Sequence, residues 1–298
     1  MLRVSTSQIM ESSLTGINDA YTQFSVAQSQ VDTGKILQKP SDNPYGTAQV
    51  LGLQDQISEI DQYGRTMDQA NGFLSTSESA LSTVSNLLSQ ARSIGIQGAN
   101  GSLGNDTLTA LAGQIQNIIG QLGEIGNTSY GSQYVFGGQR STVPPFAASG
   151  SSFTYNGGTS TTGDDSINLT IGRGESMTVN VSGDKVFTPV FAALGQLRDD
   201  LAYGNTNGIS QNDLAAMDAQ INNVLGVRAD FGSKINRISE TLDRNAQTKI
   251  SFTQFVSNIQ DANIPESVVH LQTAQTAYQA ALEATAKTFQ NSLLDFIK

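Results

Sequence analysis

Apolar residues recur in alternating steps of three and four through residues 214–259: Leu214, Met217, Ile221 and Val224, then Phe231, Ile235, Ile238 and Leu242, then Phe252, Val256 and Ile259. Arg228, Asn245 and Lys249 are the polar members of the row, and no proline interrupts it. A repeat of this kind is a heptad seam. One helix of that length, about 70 Å at ~1.5 Å per residue, needs a partner to cover its stripe. The partner lies upstream. Leu53, Ile60, Met67, Leu74, Leu81 and Leu88 hold one heptad position through a helix expected over residues 45–97. Val50, Ile57, Val84 and Ala91 hold the other position towards its ends, with Gly64, Asn71, Glu78 and Ser85 as a more polar row between. About 110 residues separate the two helices, so they can run antiparallel side by side. Aligning them by their ends puts Arg228 near Glu78, and Lys249 near Glu59 or Asp61. The other reading of these seam cations is that they snorkel to solvent.

The ends of the chain repeat the pattern on a shorter scale. Met10, Leu14, Ile17, Tyr21, Phe24 and Val31 make an N-terminal stripe on a helix rich in Ser, Thr and Gln and poor in charge. Such a helix is marginal alone and needs packing partners. Residues 33–45 break it: Gly34 suits a C-cap, Pro40 and Pro44 exclude helix before them, and Ser41, Asp42 and Asn43 form turns and N-caps. A matching elbow at residues 261–266 leads into a last helix with Val268, Leu271, Tyr278, Leu282, Phe289, Leu293 and Phe296 on one face. The elements form a palindrome, which predicts both termini at one end of a rod.

Between the long helices, a Gly- and Asn-rich loop at residues 98–105 precedes a helix capped by Asn105 or Asp106. Its broad face of Leu108, Leu111, Ile115, Ile118, Ile119, Leu122 and Ile125 would pack on both long helices. From Gly126 the chain turns Gly-, Ser- and Thr-rich, with β-prone pieces at residues 134–136, 152–155, 167–171 and 176–181. Asn156-Gly157 and, more weakly, Gly172-Arg173-Gly174 signal turns. Helix resumes over residues 186–203, a loop follows at 204–210, and Ser210 or Asn212 would cap the long C-terminal helix. The expected fold is mainly α: an antiparallel, coiled-coil-like rod of long helices, both termini at one end, with a small all-β domain inserted in the middle. Three domains are expected: residues 1–43 with 265–298, residues 44–136 with 186–264, and the β-rich residues 137–185, solvated on one face.

Composition narrows the function classes. The formal charge is −10, which argues against nucleic acid as the main partner. Cys and Trp are absent and His270 is the single histidine. Disulfides, thiolate metal sites and His-based clusters are excluded. No apolar run is long enough to span a bilayer, and the first residues lack an apolar signal core. That leaves a cytoplasmic protein, or one exported without a cleaved peptide. Asp164-Asp165 and Asp199-Asp200 are adjacent carboxylates whose side chains point apart, unlike an acid–base pair. Gly172-Arg173-Gly174 lacks the helix and lysine of a phosphate loop, and His270 reads as a packing or surface residue. No catalytic residue, cofactor or metal site is expected.

The elbow Thr33-Gly34-Lys35-Ile36-Leu37-Gln38-Lys39-Pro40-Ser41-Asp42-Asn43-Pro44 resembles the N-terminal region of the flagellin superfamily. Its Pro-Ser-Asp-Asn-Pro form is similar to the hook–filament junction branch, where filament flagellins usually carry an Asp-Asp-Ala-Ala-Gly type sequence. Asn127, Gly131, Tyr134, Val135, Phe136, Gly137 and Gly138 resemble the segment that precedes the outer domain. The tail, Leu271 to Leu282 and Gln290-Asn291-Ser292-Leu293-Leu294-Asp295-Phe296, resembles that of the same branch. The resemblance covers residues 1–138 and 186–298. It implies a non-enzymatic structural part of the bacterial flagellum, an adaptor layer between hook and filament, secreted by the flagellar type III route to an extracellular location. Its partners would be other copies of the chain in a helical layer, the hook-side junction protein, flagellin and an export chaperone, with no cofactor, nucleic acid or membrane span. The terminal helices would order on assembly and make the inter-subunit contacts. Two alternatives are a flagellin that builds the filament and a soluble coiled-coil binding or signalling module.

Overall fold

The two heptad rows fold as the two longest helices of the chain. The computed structural model describes residues 6–157 and 165–296. Helix α1 (Thr6–Thr33) is followed by α2 (Pro44–Gly98) and α3 (Asn105–Gly126). Six short strands come next: β1 (Ser129–Tyr130), β2 (Gln133–Tyr134), β3 (Phe146–Ser149), β4 (Ser152–Tyr155), β5 (Asn168–Gly172) and β6 (Glu175–Thr178). Helices α4 (Gly183–Tyr203), α5 (Thr206–Gly208), α6 (Leu214–Gln260) and α7 (Ile264–Phe296) complete the chain, with a π-helical turn at Ile209–Asp213 leading into α6. The strands pair as three antiparallel hairpins, β1–β2, β3–β4 and β5–β6. The chain forms two units, Met1–Ser58 with Thr248–Lys298, and Glu59–Gln247. The division falls inside both long helices.

Glu59–Gln247 holds one hydrophobic core. Met67, Leu74, Leu81 and Leu88 of α2 and Val224, Phe231 and Ile238 of α6 are fully buried in it. The α2 face is wider than the heptad pattern, because Ala70, Phe73 and Ile94 are buried as well. The reason is the pair α3–α4. Leu108, Leu111, Ile115, Ile118, Ile119 and Leu122 meet Val186, Phe187, Val190, Leu194, Leu197 and Leu201 in the same cluster. The two long helices run antiparallel here: Arg92 Nε lies 2.5 Å from Asp218 Oδ1, and Arg228 reaches Glu78 Oε1 from Nε at 3.0 Å and Nη2 at 2.7 Å. Both pairs are partly exposed, so each contributes at most about 1 kcal/mol and serves register more than stability.

The small sheet region adds to this core. Phe146 of β3 packs its ring 5.2 Å from Phe187 and 5.6 Å from Phe191, and Phe153 of β4 stacks on Phe191 at 5.5 Å. Glycines on α3 admit these rings: a Cβ on Gly126 would stand 2.6 Å from Phe146, and one on Gly123 would collide with Phe153. The hairpin turn is tied down by Ser151, whose carbonyl accepts from Gln116 Nε2 at 3.0 Å and Arg198 Nη1 at 3.1 Å. The β5–β6 hairpin uses charge instead. Arg173 binds Glu59 on α2 at 2.9 Å, and Glu175 accepts from Arg237 on α6. Glu59 also accepts from Tyr63 at 2.7 Å, and these bonds, Tyr63 first and Arg173 second, hold its carboxyl below the ordinary range.

Local chemistry departs from expectation in two places. The N-cap of α3 is Gly104, with no side-chain cap bond, and not Asn105 or Asp106. Asp106 lies in the first turn, where a carboxylate favours the helix dipole. The expected loop at residues 204–210 is largely helical. Gly204 ends α4 at φ 69°, Asn205 caps the next turn, and the π-helical turn carries the chain directly into α6. Ser210 and Asn212 are therefore inside helical turns and cap nothing. Within α4, Pro189 cannot donate to the Lys185 carbonyl. Asn223 Nδ2 donates to that carbonyl instead, at 3.4 Å.

Phe187 is fully buried, with Phe136 at 4.9 Å and Phe146 at 5.2 Å. Phe187→Ala is expected to cost about 3–5 kcal/mol, read from urea unfolding of the full chain. Tyr203→Ala, on a residue that is 87% exposed, should stay within ~0.5 kcal/mol in the same measurement.

Candidate assembly surface

The unit of Met1–Ser58 and Thr248–Lys298 is built on the two elbows. Gly34, at φ 69°, ends α1 and turns its carbonyl outward. That carbonyl accepts from Ala262 N at 2.8 Å, while Ile36 N donates to Gln260 O at 2.7 Å. Lys35 and Asp261 thus form an antiparallel bridge between the elbows. Asp42 Oδ2 closes the proline turn by accepting from Lys39 N at 2.9 Å and Gln38 N at 3.2 Å. Asn43 Oδ1 then accepts from Gly46 N at 2.9 Å, with Pro44 opening α2. This is the N-cap arrangement with proline at the first helical position. Pro40, Ser41, Asp42, Asn43 and Pro44 are all exposed, and Leu37 beside them is buried.

Helices α1 and α7 pack on one another. Tyr278 stacks on Phe24 at 6.1 Å and leans on Tyr21 at 5.7 Å. Ile17, Val31 and Leu271 are half-buried. Leu14 remains 57% exposed, Tyr21 53% and Leu282 42%. Side chains of Phe289, Leu293 and Phe296 lie outside the described residues. The start of α2 and the end of α6 also belong to this unit, and there Leu53, Phe252, Val256 and Ile259 are only half-buried. Along the rest of the seam, Ile60, Leu214, Ile221, Ile235 and Leu242 are half-buried too.

Heptad reasoning missed a second set of apolar residues, which sits off the seam. Val26, Ile36, Tyr45, Leu51, Ile250, Phe255 and Val269 are all exposed in this unit. The signal was present as apolar residues falling outside the periodic positions. Buried apolar side chains are few by contrast: among the described residues of this unit they are Ala27, Leu37 and Val50. Two shallow grooves run through the surface. One of about 470 Å³ lies between α1 and α7, lined by Val26, Ala27, His270 and Ala274. The other, about 530 Å³, is lined by Leu53 and Gly52 of α2 and Phe255 and Ile259 of α6. Contiguous exposed apolar surface of this kind marks an interaction site. Among the described residues no three His, Asp or Glu side chains gather as metal ligands, and no helix is long and apolar enough to cross a membrane.

Two family models match the elements that carry this surface. The bacterial flagellin N-terminal helical region matches residues 4–141, and the bacterial flagellin C-terminal helical region matches residues 214–297. Together they take in well over half of the chain. The chain belongs to the bacterial flagellin family. It is 26% identical to flagellar hook-associated protein 3 of Escherichia coli (strain K12), over 95% of this chain and 96% of that protein. Flagellar hook-associated protein 3 of Salmonella typhimurium is 27% identical over 97% of this chain and 96% of its own length. Among solved structures, flagellar hook associated protein-3 from Legionella pneumophila superposes with a TM-score of 0.63 at 16% identity, covering 70% of this chain and 98% of that one. Every exposed apolar residue of this unit named above falls within the two flagellin regions, and β3 to β6 and α4 fall outside them.

The Asn43 cap is a direct test of the elbow. Asn43→Ala should cost about 1 kcal/mol locally, seen as roughly fivefold faster hydrogen exchange at the first amides of α2 in the full chain.

Proposed function

We propose that this chain is a structural component of the bacterial flagellum that forms the junction layer between hook and filament. The observation that carries the reading is the uneven burial. A unit formed by the two ends of the chain buries few of its described apolar side chains, in a flagellin-family protein similar along its length to hook-associated protein 3. Burying a Leu or Tyr of this set is worth roughly 1.5–3 kcal/mol, so about ten such residues suffice to drive association against the cost of ordering. The contacts are made by α1 and α7, through Leu14, Ile17, Tyr21, Phe24, Val31, Leu271, Tyr278 and Leu282, with Phe289, Leu293 and Phe296 continuing the stripe. Identical copies meeting through non-equivalent surfaces generate a helical layer. The hook-side junction protein and flagellin are the partners above and below it. The seam residues of Glu59–Gln247 and the Pro40–Pro44 turn hold each subunit in shape. The subunit leaves the cell by the flagellar type III route, with an export chaperone covering the apolar ends beforehand, and acts outside the cell without catalysis.

Limited proteolysis of the free full-length chain tests this. The expected result is removal of about 30–45 residues from each end, with residues 59–247 resistant, and protection of both ends after assembly. Ends resistant in the free subunit would point to a folded binding module. The second reading is a filament-forming flagellin, because the two family models describe flagellin regions. Filament seeds separate the two: the junction role predicts addition without continued elongation. Leu282→Asp should leave free-subunit stability within ~0.5 kcal/mol and weaken assembly at least about tenfold.

A further inference from the structure

Two carboxyl groups are buried where α4 gives way to α6. Asp200, in the last turn of α4, is 9% exposed, and Asp213, which ends the π-helical turn, is 2% exposed. Named contacts build the connection between them. Gly204 N donates to Leu201 O at 3.2 Å, and Asn205 N returns to the Asp200 carbonyl at 2.8 Å. The Asn205 side chain then accepts from Gly208 N at 3.1 Å. Gly208 makes the room: a Cβ there would collide with Asp200 Oδ2 and with the Asn205 amide. Ile209 and Asp213, at the two ends of the π-helical turn, are both buried. Single π turns inside helices recur at functional sites.

Asp213 Oδ2 is buried without a hydrogen-bond donor among the described residues. The ionisable group that acts on it is Asp200. The other charges on the elements packed here are engaged elsewhere or face solvent. Arg198 of α4 holds Asp199, Arg92 of α2 holds Asp218 of α6, and Asp106 at the start of α3 is exposed. Buried carboxylates that act on one another cannot both ionise without a large penalty. A single proton removes it, converting one group into a donor to the other.

We infer that Asp213 keeps a proton that it donates to Asp200, and that this proton latches the π-helical turn between α4 and α6, which opens when the proton leaves. Burial first, then the charge of Asp200 and the hydrogen bond it accepts, raise the Asp213 carboxyl from 3.8 to about 6. The closed turn therefore holds the proton more tightly than the open one. Its added stability is complete below the ordinary carboxylate value and is lost as pH rises through about 6.

The test uses the full chain and hydrogen exchange at residues 205–213, corrected for intrinsic rates, at pH 5.0 and 7.5. In the unmodified protein the opening equilibrium should rise about tenfold between the two. Asp213→Asn supplies a permanent N–H donor to Asp200, so its protection should change by less than about twofold. Asp200→Asn makes the same substitution from the α4 side and should behave likewise, which keeps the test alive if one variant folds poorly. A carboxyl-carbon titration of Asp213 by NMR should show its midpoint near 6 in the unmodified chain. Equal protection at both pH values, or a slope that survives in both variants, would overturn the latch. So would millimolar Mg²⁺ or Ca²⁺ restoring protection at pH 7.5, because a cation and not a proton would then close the turn.

Discussion

A long helix buries its apolar stripe only where another element of comparable length lies over it. In Glu59–Gln247 that condition is met twice. The α2 and α6 segments cover one another, and the α3–α4 pair closes the face that two helices alone would leave open. The outcome is a core in which Met67, Leu74, Leu81, Leu88, Val224, Phe231 and Ile238 lose all contact with water. The same two helices continue into the other unit without α3 or α4. There the seam residues Leu53, Phe252, Val256 and Ile259 are half-buried and their off-seam neighbours are exposed. One sequence pattern thus has two energetic results, depending on what covers it.

That difference underlies the division of labour. The core unit is self-sufficient and carries charge pairs that fix helix register, such as Arg228 with Glu78. The terminal unit has aromatic stacking at Tyr278 and a backbone bridge between elbows, with three small or medium apolar residues buried among those described. Few charges lie on α1 and α7, so neither repulsion nor desolvation of ions opposes their packing against further helices. Heterologous packing of such surfaces is the chemistry a tubular assembly requires.

Much of this was legible in the residues because helical periodicity is local. The long helices, their antiparallel pairing and the Asn43 cap with Pro44 follow from spacing and capping alone. Arg228 and Glu78 meet because a heptad register, once the ends are aligned, leaves little freedom. Other features depend on contacts between distant segments. The rings of Phe146 and Phe153 settle on α3 only because Gly123 and Gly126 lack side chains, a match that neither segment announces by itself. The π-helical turn arises from the short path between Gly204 and α6, where turn residues suggested a loop. Asp200 looked unremarkable beside Asp199, since neighbours on a helix diverge. The carboxyl it acts on, Asp213, ends the π-helical turn.

The bridge between Lys35 and Asp261 joins segments separated by about three-quarters of the chain. Closing so large a loop carries the entropy of everything between, and it yields only a few backbone hydrogen bonds. Contacts of that separation form late. The N-terminal helix therefore finds no tertiary partner until α7 has been made and the intervening core has shortened the path between the elbows. A subunit built this way stays threadable at its leading end for as long as its trailing end is missing or unpaired. It becomes a closed unit only when both ends are in the same place.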